Sequence, residues 1–306
     1  MPEHDQQLRH EALVYDSDGE MVGVVAPYLE AGLAAGEPTV AVLTRINWAI
    51  LREALGPEAG KVSYTDCDSF YTRPIAAIAA YDATLRGHAA AGNPPVRVVG
   101  ELPWGPTERE WREWTGYEAL LNASLSHHDA SVLCTYDARN LPDRLVDAAL
   151  RTHPRTNDGD HHANHRYEPP EDVLRSLAMP PVEIDAPPAL EITDDVAVFR
   201  EQLGAALATA GSPERRALDM LLAGTEIFTN ACRHGGGPTS LSAGITGGWF
   251  VCEVSDDGPG FDDPLAGYLP PGRTPGLGSG LWVARQLVSR LELIQRDPGL
   301  TARLWL

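Results

Sequence analysis

Over the first half of the chain, short apolar runs alternate with longer stretches whose apolar residues recur at helical spacing. Residues 12–15, 39–43, 62–64, 96–100 and 131–136 are β-rich and apolar, while 24–35, 46–55, 75–91 and 108–126 have helical periodicity and high helix propensity. That alternation predicts an α/β layer structure with a mainly parallel sheet. From residue 156 to 188 the pattern lapses. Asn157-Asp158-Gly159-Asp160, His161, His162 and His165, and the proline pairs 169–170, 180–181 and 187–188 make a poor core. They predict a linker with one helical turn at 171–177. Beyond it, helices are expected at 194–210 and 213–234, with Ser212 as N-cap and Pro213 at the first helical position. Strands at 239–245 and 249–255, a Gly/Pro-rich loop, a helix at 281–290 and a closing strand at 302–306 complete the pattern. The chain therefore divides into an α/β region (1–155), a Pro/His-rich linker (156–188) and an α+β region (189–306).

Charge narrows the class of partner. The 306 residues carry 24 Lys+Arg against 43 Asp+Glu, a net −19, which repels phosphate backbones and excludes general nucleic-acid binding. Such a surface suits a basic partner protein. Cys67, Cys134, Cys232 and Cys252 are far apart and form no CxxC pair, so spacing suggests neither a disulfide framework nor a zinc site. The start, Met1-Pro2-Glu3-His4-Asp5, is unlike a secretory signal, and no apolar run approaches the ~20 residues that span a bilayer. A cytoplasmic protein without membrane contact is expected.

Three segments of the C-terminal region carry candidate chemistry. In the first, Glu226, Asn230 and His234 recur at i, i+4 and i+8, near one face of the helix expected over 213–234, with Gly235 just after it. In the second, Asp256-Asp257-Gly258-Pro259-Gly260 follows an apolar strand. A carboxylate there can accept from an exocyclic amine while glycine backbone passes close to a flat ring. In the third, Gly276-Leu277-Gly278-Ser279-Gly280-Leu281 opens a helix, where backbone N–H groups meet an anion.

Read in order, ExxxNAxxHG, DxGxG after a strand and GxGxGL before a helix resemble the three nucleotide-binding boxes of the GHKL ATPase superfamily. The resemblance implies an α+β two-layer sandwich over 189–306 that binds ATP and Mg²⁺. It implies that Asn230 holds the metal, Asp256 binds the adenine amine, and Gly258 and Gly260 shape the pocket. Gly276, Gly278, Gly280 and Leu281 would lie along the phosphates, and Glu226 stands where the general base of phosphoryl transfer is expected. The compact domain, the short 260–276 loop and the run 280–287 are similar to the anti-sigma-factor serine kinases, whose partners are a sigma factor and a STAS-domain antagonist. Homodimers are common in that family. One position departs: an arginine is expected just before the glycines of the third box, where Gly276 stands, and Arg273 is the nearest replacement.

The N-terminal region resembles the MEDS sensory domain. The resemblance rests on residues 9–15 (Arg-His-Glu-Ala-Leu-Val-Tyr), 32–38, 100–104 (Gly-Glu-Leu-Pro-Trp), 118–122 and 134–137 (Cys-Thr-Tyr-Asp). It implies a RecA/KaiC-like α/β fold that perceives a signal. A Walker A loop is absent, because residues 56–62 are one residue short and Lys61 precedes valine. His10, Glu101, Trp104 and Asp137 are expected at strand ends or loops, where α/β sheets collect ligands.

Overall fold

A computed structural model describes residues 8–178, 181–260, 262–269 and 279–306. The chain forms two compact units, Met1–Leu177 and Ala178–Leu306.

The first unit is built on a seven-stranded sheet. Its strands are β1 (Arg9–Tyr15), β2 (Thr39–Leu43), β3 (Ser63–Asp66), β4 (Val96–Gly100), β5 (Ala130–Asp137), β6 (Arg155–Asn157) and β7 (His161–Ala163), in the order β3-β2-β4-β5-β1-β6-β7. All neighbours are parallel except β6 and β7. The intervening helices are α1 (Asp18–Ala34), α2 (Arg45–Leu55), α3 (Cys67–Phe70), α4 (Pro74–Ala90), α5 (Glu108–Ser124), α6 (Asp143–Thr152) and α7 (Pro170–Leu177). This is the α/β class that strand–helix alternation predicts.

Side chains alternate across each strand, which divides the core in two. Leu13, Tyr15, Ala41, Leu43, Val99 and Leu133 pack with Met21, Val25 and Leu29 of α1 and Leu51 and Leu55 of α2. The opposite alternation sends His10, Cys134 and Tyr136 to α5, where they meet Asn122 and Glu118.

Several elements differ from the sequence reading. Helix α1 starts at Asp18 rather than 24, because Ser17 caps it by accepting from the Glu20 N–H. Helix α6 was not expected, yet Leu145, Ala148, Ala149 and Thr152 form a buried stripe at i, i+3, i+4 and i+7. The largest departure is in the expected linker. Strands β6 and β7 extend the sheet there, and the short helix foreseen at 171–177 forms as α7, whose Leu174 lies against Gly116 of α5. A buried carboxylate rather than apolar residues holds these polar strands. Glu11 accepts from Arg155 Nε at 3.0 Å and Asn157 Nδ2 at 3.2 Å, and His161 Nδ1 lies 2.9 Å from it.

The second unit is a two-layer sandwich. Strands β8 (Pro238–Thr246), β9 (Trp249–Asp256), β10 (Arg290–Gln295) and β11 (Leu300–Trp305) form an antiparallel sheet in the order β10-β11-β9-β8. One face packs on α8 (Val196–Thr209), α9 (Glu214–His234) and α10 (Gly280–Leu287). Phe250, Cys252 and Val254 of β9 meet Phe199, Leu203, Ile227 and Phe228 there, with the Phe199 and Phe228 rings stacked at 4.4 Å. The other face is polar: Arg303 binds Glu253 and Glu292, and Trp305 Nε1 donates to Glu292.

Strand β10 replaces the end of the helix expected over 281–290. Leu291 and Leu293 point to the core while Glu292 points to the polar face, a period-2 pattern that ends the helix at Leu287. Helix α9 starts at Glu214 with Pro213, not Ser212, at the cap, and no side chain caps it. Among the described residues no helix is long and apolar enough to cross a membrane.

Candidate functional site

Helix α9 sets the axis of the site. Its inner face carries Ile227, Phe228 and Ala231 into the core. Glu226 and Asn230 are left half-buried along an adjoining edge, and His234 is exposed. The first residue of α10 abuts that edge. A Cβ on Gly280 would come within 2.7 Å of Glu226 Oε2 and 3.5 Å of Asn230 Nδ2. Among the described residues no side chain caps α10, so its first-turn N–H groups are left facing these two residues. Arg285 anchors the helix by donating to the carbonyls of Ala266 and Leu291, and its guanidinium lies 3.9 Å from the Tyr268 ring centroid.

At the C-terminal end of α9 lies Asp256. It closes β9, a strand flanked by β8 and β11, and it is buried although it is a carboxylate. Its Oδ1 accepts the Gly258 N–H at 3.0 Å. Space around it is set by glycines. A Cβ on Gly235 would fall 2.3 Å from Asp256 Cγ, and one on Gly258 would fall 2.6 Å from the Gly235 Cα. Gly235 caps the C-terminus of α9. At about 1.5 Å of rise per residue, Asn230 lies about 7.5 Å along the axis from Gly235 and Glu226 about 13.5 Å. The column thus has a carboxylate end at Asp256 and an amide and helix-N-terminus end at Asn230 and Gly280.

Of the expected site residues, Glu226, Asn230 and Gly280 come together at one end of the column, and Asp256 and Gly258 at the other. Gly260 is further off, packed against the Gln295 side chain with φ +60°. Leu281 is buried in the core as the second residue of α10. Arg273, Gly276 and Gly278 lie outside the described residues. Sequence reasoning did not single out Gly235 or Gly299 as site residues. A Cβ on Gly299 would fall 1.9 Å from the Asp256 carbonyl oxygen. The signal for Gly235 was its place as the last residue of the first segment.

In the first unit the four expected residues do not converge. Glu101 directly follows β4 and accepts from the Thr44 N–H, Thr44 Oγ1 and Asn47 Nδ2, which ties it to the start of α2. Asp137 ends β5 and is bound by Arg139 and Asn140. The Arg139 guanidinium holds its carboxyl below the usual range against the raising effect of burial. Trp104 Nε1 is buried without a hydrogen-bond partner. His10 stands at the N-terminal end of β1, away from the carboxyl ends of the strands where Glu101 and Asp137 lie. It is the second residue of β1 and is fully buried.

Comparison with known proteins divides the chain in the same two regions. Residues 9–154 match the model of the methanogen/methylotroph, DcmR sensory (MEDS) domain, and residues 191–305 match that of the histidine kinase-like ATPase domain. No curated protein sequence matches the chain. Among solved structures, the RsbU and RsbW domains of a Mycobacterium tuberculosis protein align at 22% identity and TM-score 0.29, over 44% of this chain and 39% of that one. The histidine kinase domain of the Escherichia coli osmosensor EnvZ aligns at 24% identity and TM-score 0.24, over 42% of this chain and 91% of that one. The chain thus spans well under half the length of the first of these structures. It joins a MEDS domain to a histidine kinase-like ATPase domain of the GHKL type.

Proposed function

We propose that this chain is a signal-responsive regulator whose C-terminal domain binds ATP with Mg²⁺ and controls a sigma factor in the cytoplasm. The observation that carries the nucleotide part is the α9 column, which offers a buried carboxylate at one end and an amide beside an uncapped helix N-terminus at the other. Asp256 would accept the exocyclic amine of adenine, with Gly235 and Gly258 leaving room for the ring to lie against backbone. Asn230 and the start of α10 would face the phosphates, where Gly280 leaves a space that a side chain would fill. The oxygen and amide chemistry of that end fits Mg²⁺, which spreads the negative charge of the phosphates when bound. Glu226 would take the proton from an attacking serine or threonine hydroxyl of a STAS-domain antagonist.

The test is equilibrium binding of ATP to the full chain with and without Mg²⁺, followed by transfer from γ-labelled ATP to candidate STAS proteins. Asp256→Asn and Asn230→Ala should each weaken binding by tenfold or more, on the order of 1–3 kcal/mol for a lost charged hydrogen bond or ligand. Unchanged affinity in both variants would overturn the site assignment.

A second reading is favoured by one residue. Gly276 stands where the anti-sigma kinases are expected to have an arginine, which supports a module in which ATP tunes partner affinity without turnover. ATP binding without phosphate transfer would select it. An autophosphorylating histidine kinase has less support, because His161 and His162 lie in β7 and His165 just beyond it, not on a helical hairpin.

A further inference from the structure

Four titratable side chains from four elements converge inside the first unit. His10 of β1, Glu118 of α5, Cys134 of β5 and His153 after α6 are all buried, with their ligating atoms within 4.8 Å of one another. His10 Nε2 is 3.4 Å from Cys134 Sγ and 3.3 Å from Glu118 Oε2. Glu118 Oε2 is in turn 3.6 Å from Cys134 Sγ and 3.6 Å from His153 Nε2. Ligands bound tetrahedrally at about 2.0–2.3 Å are separated by about 3.3–3.7 Å, so these four of the six edges match a tetrahedral site, and the other two lie within 4.8 Å.

The surrounding hydrogen bonds fix which atoms point inward. Asn122 Nδ2 donates to the Thr152 carbonyl at 2.7 Å, which turns its Oδ1 toward His10 Nδ1 at 3.0 Å. His10 therefore carries a proton on Nδ1, and in the neutral ring its Nε2 faces the cluster as a lone pair. His153 Nδ1 lies 2.8 Å from the Ala149 carbonyl, which can only accept, so its Nε2 is also a lone pair. That Nε2 is buried and has no hydrogen-bond partner. Tyr136 donates to Glu118 Oε1 at 2.9 Å and leaves Oε2 for the cluster. Two lone pairs and a carboxylate oxygen thus face one another, with only the Cys134 thiol proton to share. Such crowding of acceptors in a dry interior is unfavourable unless a further proton or a metal cation joins them, and a metal cation is the one partner that engages all four at once. A thiolate and a carboxylate would also balance a divalent charge.

We propose that His10, Glu118, Cys134 and His153 bind a divalent first-row metal ion, Zn²⁺ foremost. Imidazole, thiolate and carboxylate suit that ion, and Asn122, the Ala149 carbonyl and Tyr136 orient the ligands from outside. All four positions are filled by protein, so the site is of the closed, structural kind, joining two central strands of the sheet to α5 and the end of α6. The wide spacing of the cysteines hid it, because each ligand comes from a different element.

The test uses the full chain without an affinity tag, equilibrated with Zn²⁺, desalted and analysed by mass spectrometry of its metals. About one ion per chain is expected. Cys134→Ala and His153→Ala should each lose most of it, while Cys252→Ala, which alters a buried thiol in the other unit, should keep it. Because the first two variants risk misfolding, Co²⁺ is loaded into the unaltered protein, where a thiolate-to-cobalt charge-transfer band and intense tetrahedral ligand-field bands are expected. A folded, unaltered chain that retains no zinc and gives no such cobalt spectrum overturns the proposal. So does stoichiometric zinc in folded Cys134→Ala and His153→Ala chains.

Discussion

Replacing Gly235 by alanine probes the nucleotide column with one methyl group. The residue has φ −96° and ψ −3°, a conformation open to any L-residue, so alanine brings no backbone penalty. The added carbon would stand 2.3 Å from Asp256 Cγ, 2.4 Å from its Cβ and 2.7 Å from Oδ1. Carbon atoms prefer about 3.5–4.0 Å, so the carboxylate must move by about 1.2 Å or more, or α9 must shift. Moving it stretches the 3.0 Å bond from the Gly258 N–H to Oδ1 beyond hydrogen-bond range. A hydrogen bond to a charged group is worth about 1.5–3 kcal/mol, and overpacking a filled site costs about 1–3 kcal/mol. If Asp256 reads adenine, the misplaced carboxylate should weaken ATP binding by about tenfold to a hundredfold, at 1.4 kcal/mol per decade.

Titration calorimetry with ATP and Mg²⁺ measures the affinity, and a thermal melt of the same sample separates misplacement from unfolding. The expected result is a folded variant with a lowered melting temperature and a Kd raised at least tenfold. Gly204→Ala is the control, since a Cβ there meets nothing within 4 Å. A Gly235→Ala protein that binds ATP within twofold of the unaltered chain would refute the argument that this glycine keeps Asp256 in place.

Glu226→Gln keeps the shape of the side chain and removes the proposed base. It should leave ATP affinity unchanged and lower transfer to a STAS partner by about a hundredfold or more, read from γ-labelled ATP. Gly224→Ala should lower the melting temperature, because its Cβ would fall 2.9 Å from Leu203 Cδ2 where α8 crosses α9, an overpacking cost of about 1–3 kcal/mol. Gly204→Ala, mid-helix in open space, should instead stabilise by about 0.4–1 kcal/mol. Asp137 is held below its ordinary range first by Arg139, so its stabilisation is present above the unfolded value of about 3.9 and is lost as pH falls through the folded one. Melting curves of Asp137→Asn should therefore show a smaller loss of stability below about pH 4 than the unaltered chain.

How much of the fold could be read from the sequence depended on what holds each element. Strands β2, β4 and β5 are apolar runs buried in the sheet, and hydropathy alone located them. Strands β6 and β7 are polar, and Glu11, a residue some 150 positions earlier, organises them. Local pattern carries no trace of such a partner, so the stretch was read as linker. Strand β10 was lost for another reason. Leu291, Leu293 and Ile294 fit the end of a helix as well as a strand, and only pairing with β11 decides between them.

The two candidate sites differ in the same respect. In the second unit Glu226, Asn230 and Gly235 lie on one helix, so their spacing in the sequence is their spacing along the column. Only the facing partners, Gly280 and Asp256, had to come from elsewhere, and each is marked by its own glycines. In the first unit no two of His10, Glu118, Cys134 and His153 share an element. Strand alternation, the β1–β5 register and the crossing of α5 over that face bring them together. His10 and Cys134 each look like a single polar residue in an apolar strand, which is how an ordinary core residue looks as well. The unpartnered His153 Nε2 makes the difference, and it is a property of the folded chain alone. Metal analysis of the purified protein is therefore a more direct test of the first unit than any motif, whereas nucleotide binding tests what the motifs of the second lead one to expect.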